Sequence, residues 1–143
     1  MHDSITFKII PSKDILTIVP LLVKLNDYKI NEDTLSKRCL QMVKENYECA
    51  GVYDNKKLIG ITGLWYCTRH YAGTTMEVDH VYIDDNNRGK GIGKDFFGWI
   101  HNHAKDKGCK TIELNTYVQN YPSHKFYYNL GYEILGYHFL KTL

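Results

Sequence analysis

Three glycines in five residues, Gly89, Gly91 and Gly93, stand between a β-rich run that ends at Ile83 and a helical pattern that opens at Ile92. Glycine admits positive φ without a Cβ clash, so the chain can turn there so tightly that several backbone N–H groups converge. A helix start adds unpaired N–H groups and the positive end of its dipole. With three cations interleaved, Arg88-Gly89-Lys90-Gly91-Ile92-Gly93-Lys94 reads as a phosphate cradle. It is not a Walker A loop, since Arg88 replaces the first glycine and Asp95 the magnesium-holding hydroxyl. Nor is it a dinucleotide fingerprint, because Lys94 fills the last glycine slot. The pattern left is R-x-x-G-x-G, with a plain strand-to-helix turn as the alternative.

The rest of the chain predicts a mixed α/β (α+β) domain over 1–143. A strand over 5–10 ends at Pro11, and Ser12 is placed to cap a helix over 14–25. A second helix follows Asn31 to about Glu45. Tyr47–Tyr53 and Leu58–Cys67 form a hairpin around Asp54-Asn55-Lys56-Lys57, and 74–83 adds a third antiparallel strand. Ile92, Phe96, Ile100 and Ala104 recur every four residues to a C′ glycine at Gly108. A strand over 111–118, a helix over 121–129 and a final strand pair over 132–143 pivoting at Gly136 complete the order β-α-α-β-β-β-α-β-α-β-β. In the 74–83 strand the apolar positions switch from Met76 and Val78 to Val81 and Ile83. A period of two cannot do this, so a β-bulge is expected near Asp79-His80.

Composition excludes more than it suggests. Eighteen basic against sixteen acidic residues give a net charge of +2, too weak a field to argue for nucleic acid or an anionic membrane. The longest greasy stretch, Ile15–Val23, is broken by Thr17 and Pro20, far short of the roughly 20 residues a spanning helix needs. Met1–Lys8 lacks the pattern of a signal peptide, so a cytoplasmic location is expected. Cys39, Cys49, Cys67 and Cys109 show no paired spacing and read as small buried hydrophobes, with neither metal site nor disulfide framework. His101 and His103 lie about 200° apart on a helix and read as solvated side chains. His80 is expected on the strand face opposite Asp79. Twelve tyrosines suit either the walls of a small-molecule groove or half-buried strand positions.

The Arg88–Lys94 motif, following Glu77-Val78-Asp79-His80-Val81-Tyr82-Ile83, resembles the acetyl-CoA pyrophosphate site of the GNAT superfamily of N-acetyltransferases. Downstream, Asn120, Ser123, Phe126, Tyr127, Gly131 and Tyr132 match a second segment of that family, with Ser for its usual Ala and Tyr for its final Phe. The resemblance implies a direct transfer from acetyl-CoA to an amine. Pantetheine would insert beside the bulged strand against the backbone of Val81, Tyr82 and Ile83. The residues Arg88, Gly89, Lys90, Gly91, Ile92, Gly93 and Lys94 would hold the pyrophosphate, and Asn120 and Tyr127 would add cofactor contacts.

An alkylammonium with a pKa near 10 must lose a proton before it attacks, and the departing thiolate must gain one. Glu77 matches the family's base and Tyr127 its acid. Glu77, Asp79 and Asn115 are expected to bind the acceptor, and the N–H near Val81 to face the carbonyl oxygen. No metal is expected. The C-terminal stretch and the Ile59–Leu64 hairpin strand are similar to aminoalkylphosphonate N-acetyltransferases, whose phosphonate would need cations from among Arg69, His70, His124 and His138. The implied partner is a small-molecule primary amine, with a homodimer through the final strands as the expected association. A peptide N-acetyltransferase and a non-catalytic acyl-CoA sensor are the alternatives.

Overall fold

The computed structural model describes residues 3–143, which divide into two compact units, the chain up to Glu113 and Leu114–Leu143. The first unit is built on a sheet. Its strands are β1 (Ile5–Ile10), β2 (Tyr47–Asp54), β3 (Lys57–Arg69), β4 (Gly73–Ile83) and β5 (Thr111–Leu114), in that spatial order. The first four form an antiparallel meander. The β2–β3 turn needs left-handed backbone, which Asn55 supplies at φ 53°. The short β5 starts beside the beginning of β4, where Lys110 N–H donates to Thr74 O (2.7 Å) and the Thr75 hydroxyl to Thr111 O (3.2 Å). Four residues accompany only part of an eleven-residue strand.

The predicted first helix divides in two. A 3-10 segment over Ser12–Ile18 precedes α1 (Val19–Leu25), because Pro20 has no N–H to donate and is tolerated only in a first turn. Pro11, not Ser12, precedes that 3-10 segment, without a side-chain cap bond. The second helix, α2 (Glu32–Met42), follows Asn31 as expected and ends sooner than Glu45; Asn31 caps it, its Oδ1 accepting from Thr34 N–H at 2.8 Å. Helix α3 (Ile92–Asp106) ends at Gly108, φ 78°, with Gly108 N–H on Lys105 O and Cys109 N–H on Ala104 O, a Schellman pair.

Helices cover both faces of the sheet. Ile15, Ile18, Leu21, Leu22, Leu35 and Cys39 pack with Ile10, Cys49, Ile61 and Tyr82 on one face. On the other, Phe96 stacks on Phe7 at 5.3 Å, and Phe96, Phe97 and Ile100 are fully buried. Each such side chain contributes about 1.5–3 kcal/mol by leaving water. Both histidines of α3 depart from the solvated reading. His103 Nε2 lies 3.0 Å from Glu48 Oε1 with its ring stacked on Trp99, and His101 is half-buried, its pKa lowered chiefly by that burial. Cys39 and Cys49 are buried as expected, Cys109 only partly, and Cys67 is exposed; all four are free.

In the second unit, α4 (Tyr121–Asn129) forms where predicted. The final strand pair does not: residues 132–143 carry no strand. An extended segment becomes a strand only when another backbone takes its hydrogen bonds. The apolar side chains here meet solvent instead, with Ile134 at 85%, Tyr137 at 86% and Phe139 at 91% exposure.

Candidate functional site

The parity change in β4 is a bulge. Gly63 pairs with Asp79 and Ile61 with Tyr82, so the single residue Thr62 faces two, His80 and Val81. The bulge falls one residue beyond the predicted place. Thr62 holds it from the partner strand, its buried hydroxyl donating to Asp79 O at 2.9 Å.

One consequence overturns the expectation for His80. The extra residue turns its ring onto the same face as Asp79, where His80 Nε2 and Tyr47 Oη share a 2.6 Å hydrogen bond. Gly63 makes room: a Cβ there would lie 2.6 Å from His80 Cδ2 and 2.9 Å from Tyr47 Cε1. Burial, partly offset by Asp79, holds the imidazole below its usual pKa and so neutral at pH 7. His80 Nδ1 is buried without a partner among the described residues. Asp79 is fixed by two donors, its neighbour's backbone (His80 N–H to Oδ1, 2.8 Å) and the indole of Trp65 (Nε1–H to Oδ2, 3.0 Å).

Two residues back, Glu77 lies on that same face and faces Trp65 across the strands. Its carboxylate is 3.8 Å from Arg69, which also pairs with Glu113 at 3.4 Å. Glu113 further accepts from the hydroxyls of Thr75 and Tyr71, each at 3.2 Å. Arg69 is therefore held by carboxylates rather than presented as an anion ligand, and the face carries three carboxylates against one guanidinium. The Cys49 thiol on the same face is pushed up to about 12, by burial first, so this thiol keeps its proton.

Past the bulge, Tyr82 and Ile83 continue the pairing with β3, while β5 has been left near the start of β4. The glycine loop follows. Gly89 (φ 75°) and Gly91 (φ 79°) are both left-handed, with no atom within 4 Å of where a Cβ would stand. Gly91 is the N-cap of α3, Ile92 is buried, and Gly93 and Lys94 lie in its first turn. Backbone amides uncovered by side chains at the start of a 15-residue helix are a setting that suits an anion. Lys90 and Lys94 are exposed there. Arg88 is turned back, its Nε–H donating to Ile83 O (2.8 Å) and its Nη1 pairing with Asp85 (2.8 Å), over the Tyr82 ring. A polar cleft of about 360 Å³ beside it is lined by Lys24, Asp27, Asp84, Asp85 and Arg88, more acid than base.

In the second unit, Asn115 is exposed just past β5. Asn120 caps α4, its Oδ1 accepting from Ser123 N–H at 3.4 Å, so its amide NH₂ is the group left to donate to a ligand. Tyr127 is half-buried between Phe126 (5.3 Å) and Tyr132 (5.8 Å), while Tyr128 is 72% exposed. Burial raises the Tyr127 pKa, so the phenol keeps its proton.

The profile of the Acetyltransferase (GNAT) family matches residues 18–132, through both units. The chain belongs to the GNAT acetyltransferase family. It is 29% identical over 140 residues to a spermine/spermidine N(1)-acetyltransferase of Bacillus subtilis, covering 93% of this chain and 90% of that one. It is 28% identical over 74 residues to an aminoalkylphosphonate N-acetyltransferase of Salmonella typhimurium, covering 52% of this chain and only 48% of that relative's length. Among solved structures, a GNAT family acetyltransferase of Staphylococcus aureus superposes with a TM-score of 0.78 at 25% identity, over 98% of this chain and 99% of that one. A possible acetyltransferase of Clostridium difficile gives 0.82 at 20% identity, over 99% and 98%.

GNAT acetyltransferases use acetyl-CoA as co-substrate, and the glycine loop described above is suited to its pyrophosphate. No cluster able to hold a metal ion occurs among the described residues. Within this GNAT frame, reading the sequence missed Trp65, Tyr47 and Glu113. Trp65 and Glu113 reach β4 side chains from its neighbours β3 and β5, and Tyr47 reaches His80 from β2; such matches between strands leave no local pattern in the sequence.

Proposed function

We propose that the protein is an acetyl-CoA-dependent N-acetyltransferase of a small primary amine, working by direct transfer in a ternary complex. The observation that carries this reading is the bulged β4, which places Glu77 and Asp79 on one face and leads straight into the glycine loop. In it, Asp79 holds the acceptor ammonium and Glu77 takes its proton, with Asn115 as a further acceptor contact. The Val81 N–H donates to the thioester carbonyl oxygen. The amides of Gly89 to Lys94 bind pyrophosphate, assisted by Lys90, Lys94 and a reoriented Arg88. The backbone of Val81–Ile83 and the amide of Asn120 serve the pantetheine arm. Tyr127 gives its proton to the thiolate released as the carbon–nitrogen bond replaces the carbon–sulfur bond.

The acceptor face supports a cationic amine, of the diamine or polyamine class, over an aminoalkylphosphonate. Of the four cations a phosphonate would call on, Arg69 is engaged by Glu77 and Glu113, His124 Nε2 lies 2.8 Å from Tyr117 O, and His70 stacks edge-on against Tyr71. His138 sits in the exposed terminal stretch. Acetyl-CoA-dependent thiol release across diamines, polyamines, an aminoalkylphosphonate, aminoglycosides and lysine peptides tests this. Turnover of a diamine or polyamine is expected. Turnover of peptides alone, or acetyl-CoA binding without any turnover, refutes it.

The terminal stretch supports a homodimer, and a cytoplasmic setting accords with the reducing conditions its free thiols require. Six large apolar side chains exposed by 80% or more, Ile134, Leu135, Tyr137, Phe139, Leu140 and Leu143, are the surface to cover. Light scattering at micromolar concentration should give a dimer mass that Phe139→Asp with Leu140→Asp reduces to monomer. A monomeric native chain removes this assignment.

A further inference from the structure

We infer that Trp65 is a positioning residue of the acceptor site, holding Asp79 with its indole N–H and lining with its ring the place where the acceptor's alkylammonium sits. The inference rests on the N-acetyltransferase reading and deepens it. Trp65 lies on β3 between the two carboxylates of that reading: it faces Glu77 across the strands and reaches Asp79 Oδ2 at 3.0 Å. Since Oδ1 takes His80 N–H at 2.8 Å, both oxygens of Asp79 are pinned by N–H donors on different strands. A carboxylate held twice cannot rotate, and each oxygen keeps a lone pair for a third donor.

The indole is itself held. Tyr47 packs against it at 4.7 Å between ring centres, tilted 52°, and Tyr47 is only 7% exposed and bonded to His80. Trp65 is partly buried against the core, with one side fixed on Tyr47 and the remainder meeting solvent. A cation drawn between Glu77 and Asp79 passes over the aromatic side chain that attracts cations best. Arg69 stands on the far side of Glu77, toward Glu113, and does not compete for that place. The arrangement suits a compact ammonium on an alkyl stem.

Trp65→Phe keeps a ring and removes the N–H; Trp65→Leu removes both. Full-length variants are compared with the native chain for amine KM and kcat, acetyl-CoA affinity by calorimetry, and melting temperature. For Trp65→Phe the amine KM should rise about tenfold, with kcat within about threefold and acetyl-CoA affinity unchanged. Trp65→Leu should raise KM further. In an Asp79→Ala background, which has no side-chain acceptor, Trp65→Phe should add almost nothing, because the bond it breaks is already lost. A native amine KM in Trp65→Phe overturns the inference, as does a loss shared equally with acetyl-CoA affinity. A second arm needs no turnover: diamine titrated onto the protein should perturb Trp65 fluorescence, and Trp65→Phe, which keeps Trp99, should lose the response. If no amine is acetylated yet that response is present, the enzymatic reading fails while Trp65 keeps its ligand role. If turnover occurs and the response is absent, Trp65 has none.

Discussion

The sheet carries a carboxylate cluster on each face, and the two are built on opposite terms. On the α3 face, Glu48 accepts from the Tyr66 hydroxyl at 2.6 Å, lies 3.0 Å from His103 Nε2 and pairs with Lys107 at 3.5 Å. Burial works to raise that carboxyl, but Tyr66, His103 and Lys107 together hold it below the usual range. On the opposite face, Asp79 and Glu77 are also gripped, yet by a neutral indole and amide in one case and a shared arginine in the other. Glu48 is matched by the Lys107 ammonium, the His103 ring and the Tyr66 hydroxyl, so its charge is spent within the fold. Glu77 and Glu113 share the single Arg69 and Asp79 is held only by neutral donors, so the second face keeps negative charge to offer. The sheet's chemistry thus lies where carboxylates outnumber their cations, not where they are most buried.

The largest effect expected from this contrast is on turnover. Glu77→Gln, which keeps shape and removes the base, should lower kcat for the best amine by about 10²–10⁴-fold. Acetyl-CoA affinity and melting temperature should stay close to native, since the residue is half-exposed and its one ion pair is 3.8 Å long. Glu48→Gln should do the reverse, costing about 1–3 kcal/mol of stability by denaturant titration and leaving kcat unchanged. Should Glu48→Gln abolish turnover at native stability, the division between a spent cluster and a working one is wrong.

The readability of this chain follows the range of the interactions involved. The helix after Asn31, Gly108 as a helix stop and the glycine loop depend on neighbours within about four residues, and all appear where the local pattern puts them. The bulge was legible because it breaks a period of two within its own strand. Its consequence for His80 was not, since the same-face placement depends on which residue of β3 it skips, Thr62, and on Gly63 lacking a side chain. The pairs Trp65–Asp79, His103–Glu48 and Arg69–Glu113 join residues 14, 55 and 44 positions apart, and no local pattern encodes such matches. The terminal strands failed for a related reason: alternating apolar residues state a capacity to pair without naming a partner.

The smallest effect, and the finest test of the contrast, is in acid. His80 has its folded pKa below 6.5, so on acidification the unfolded chain takes up a proton before the folded one. Its contribution to stability is complete above about pH 6.5 and is lost as pH falls toward the folded value. Glu48, with a folded pKa below the usual carboxylate value of 4.5, behaves the same way in a lower window: its contribution is present above about 4.5 and disappears as pH falls through the folded pKa. Melting temperature measured from pH 7.5 to 3 should therefore fall in two stages, one belonging to each face of the sheet. Glu48→Gln should flatten the lower stage and spare the upper. His80→Gln, which leaves a neutral polar side chain beside Tyr47, should flatten the upper and spare the lower. A single stage flattened by both substitutions would mean that the two clusters titrate as one network, and that the sheet does not insulate its faces from each other.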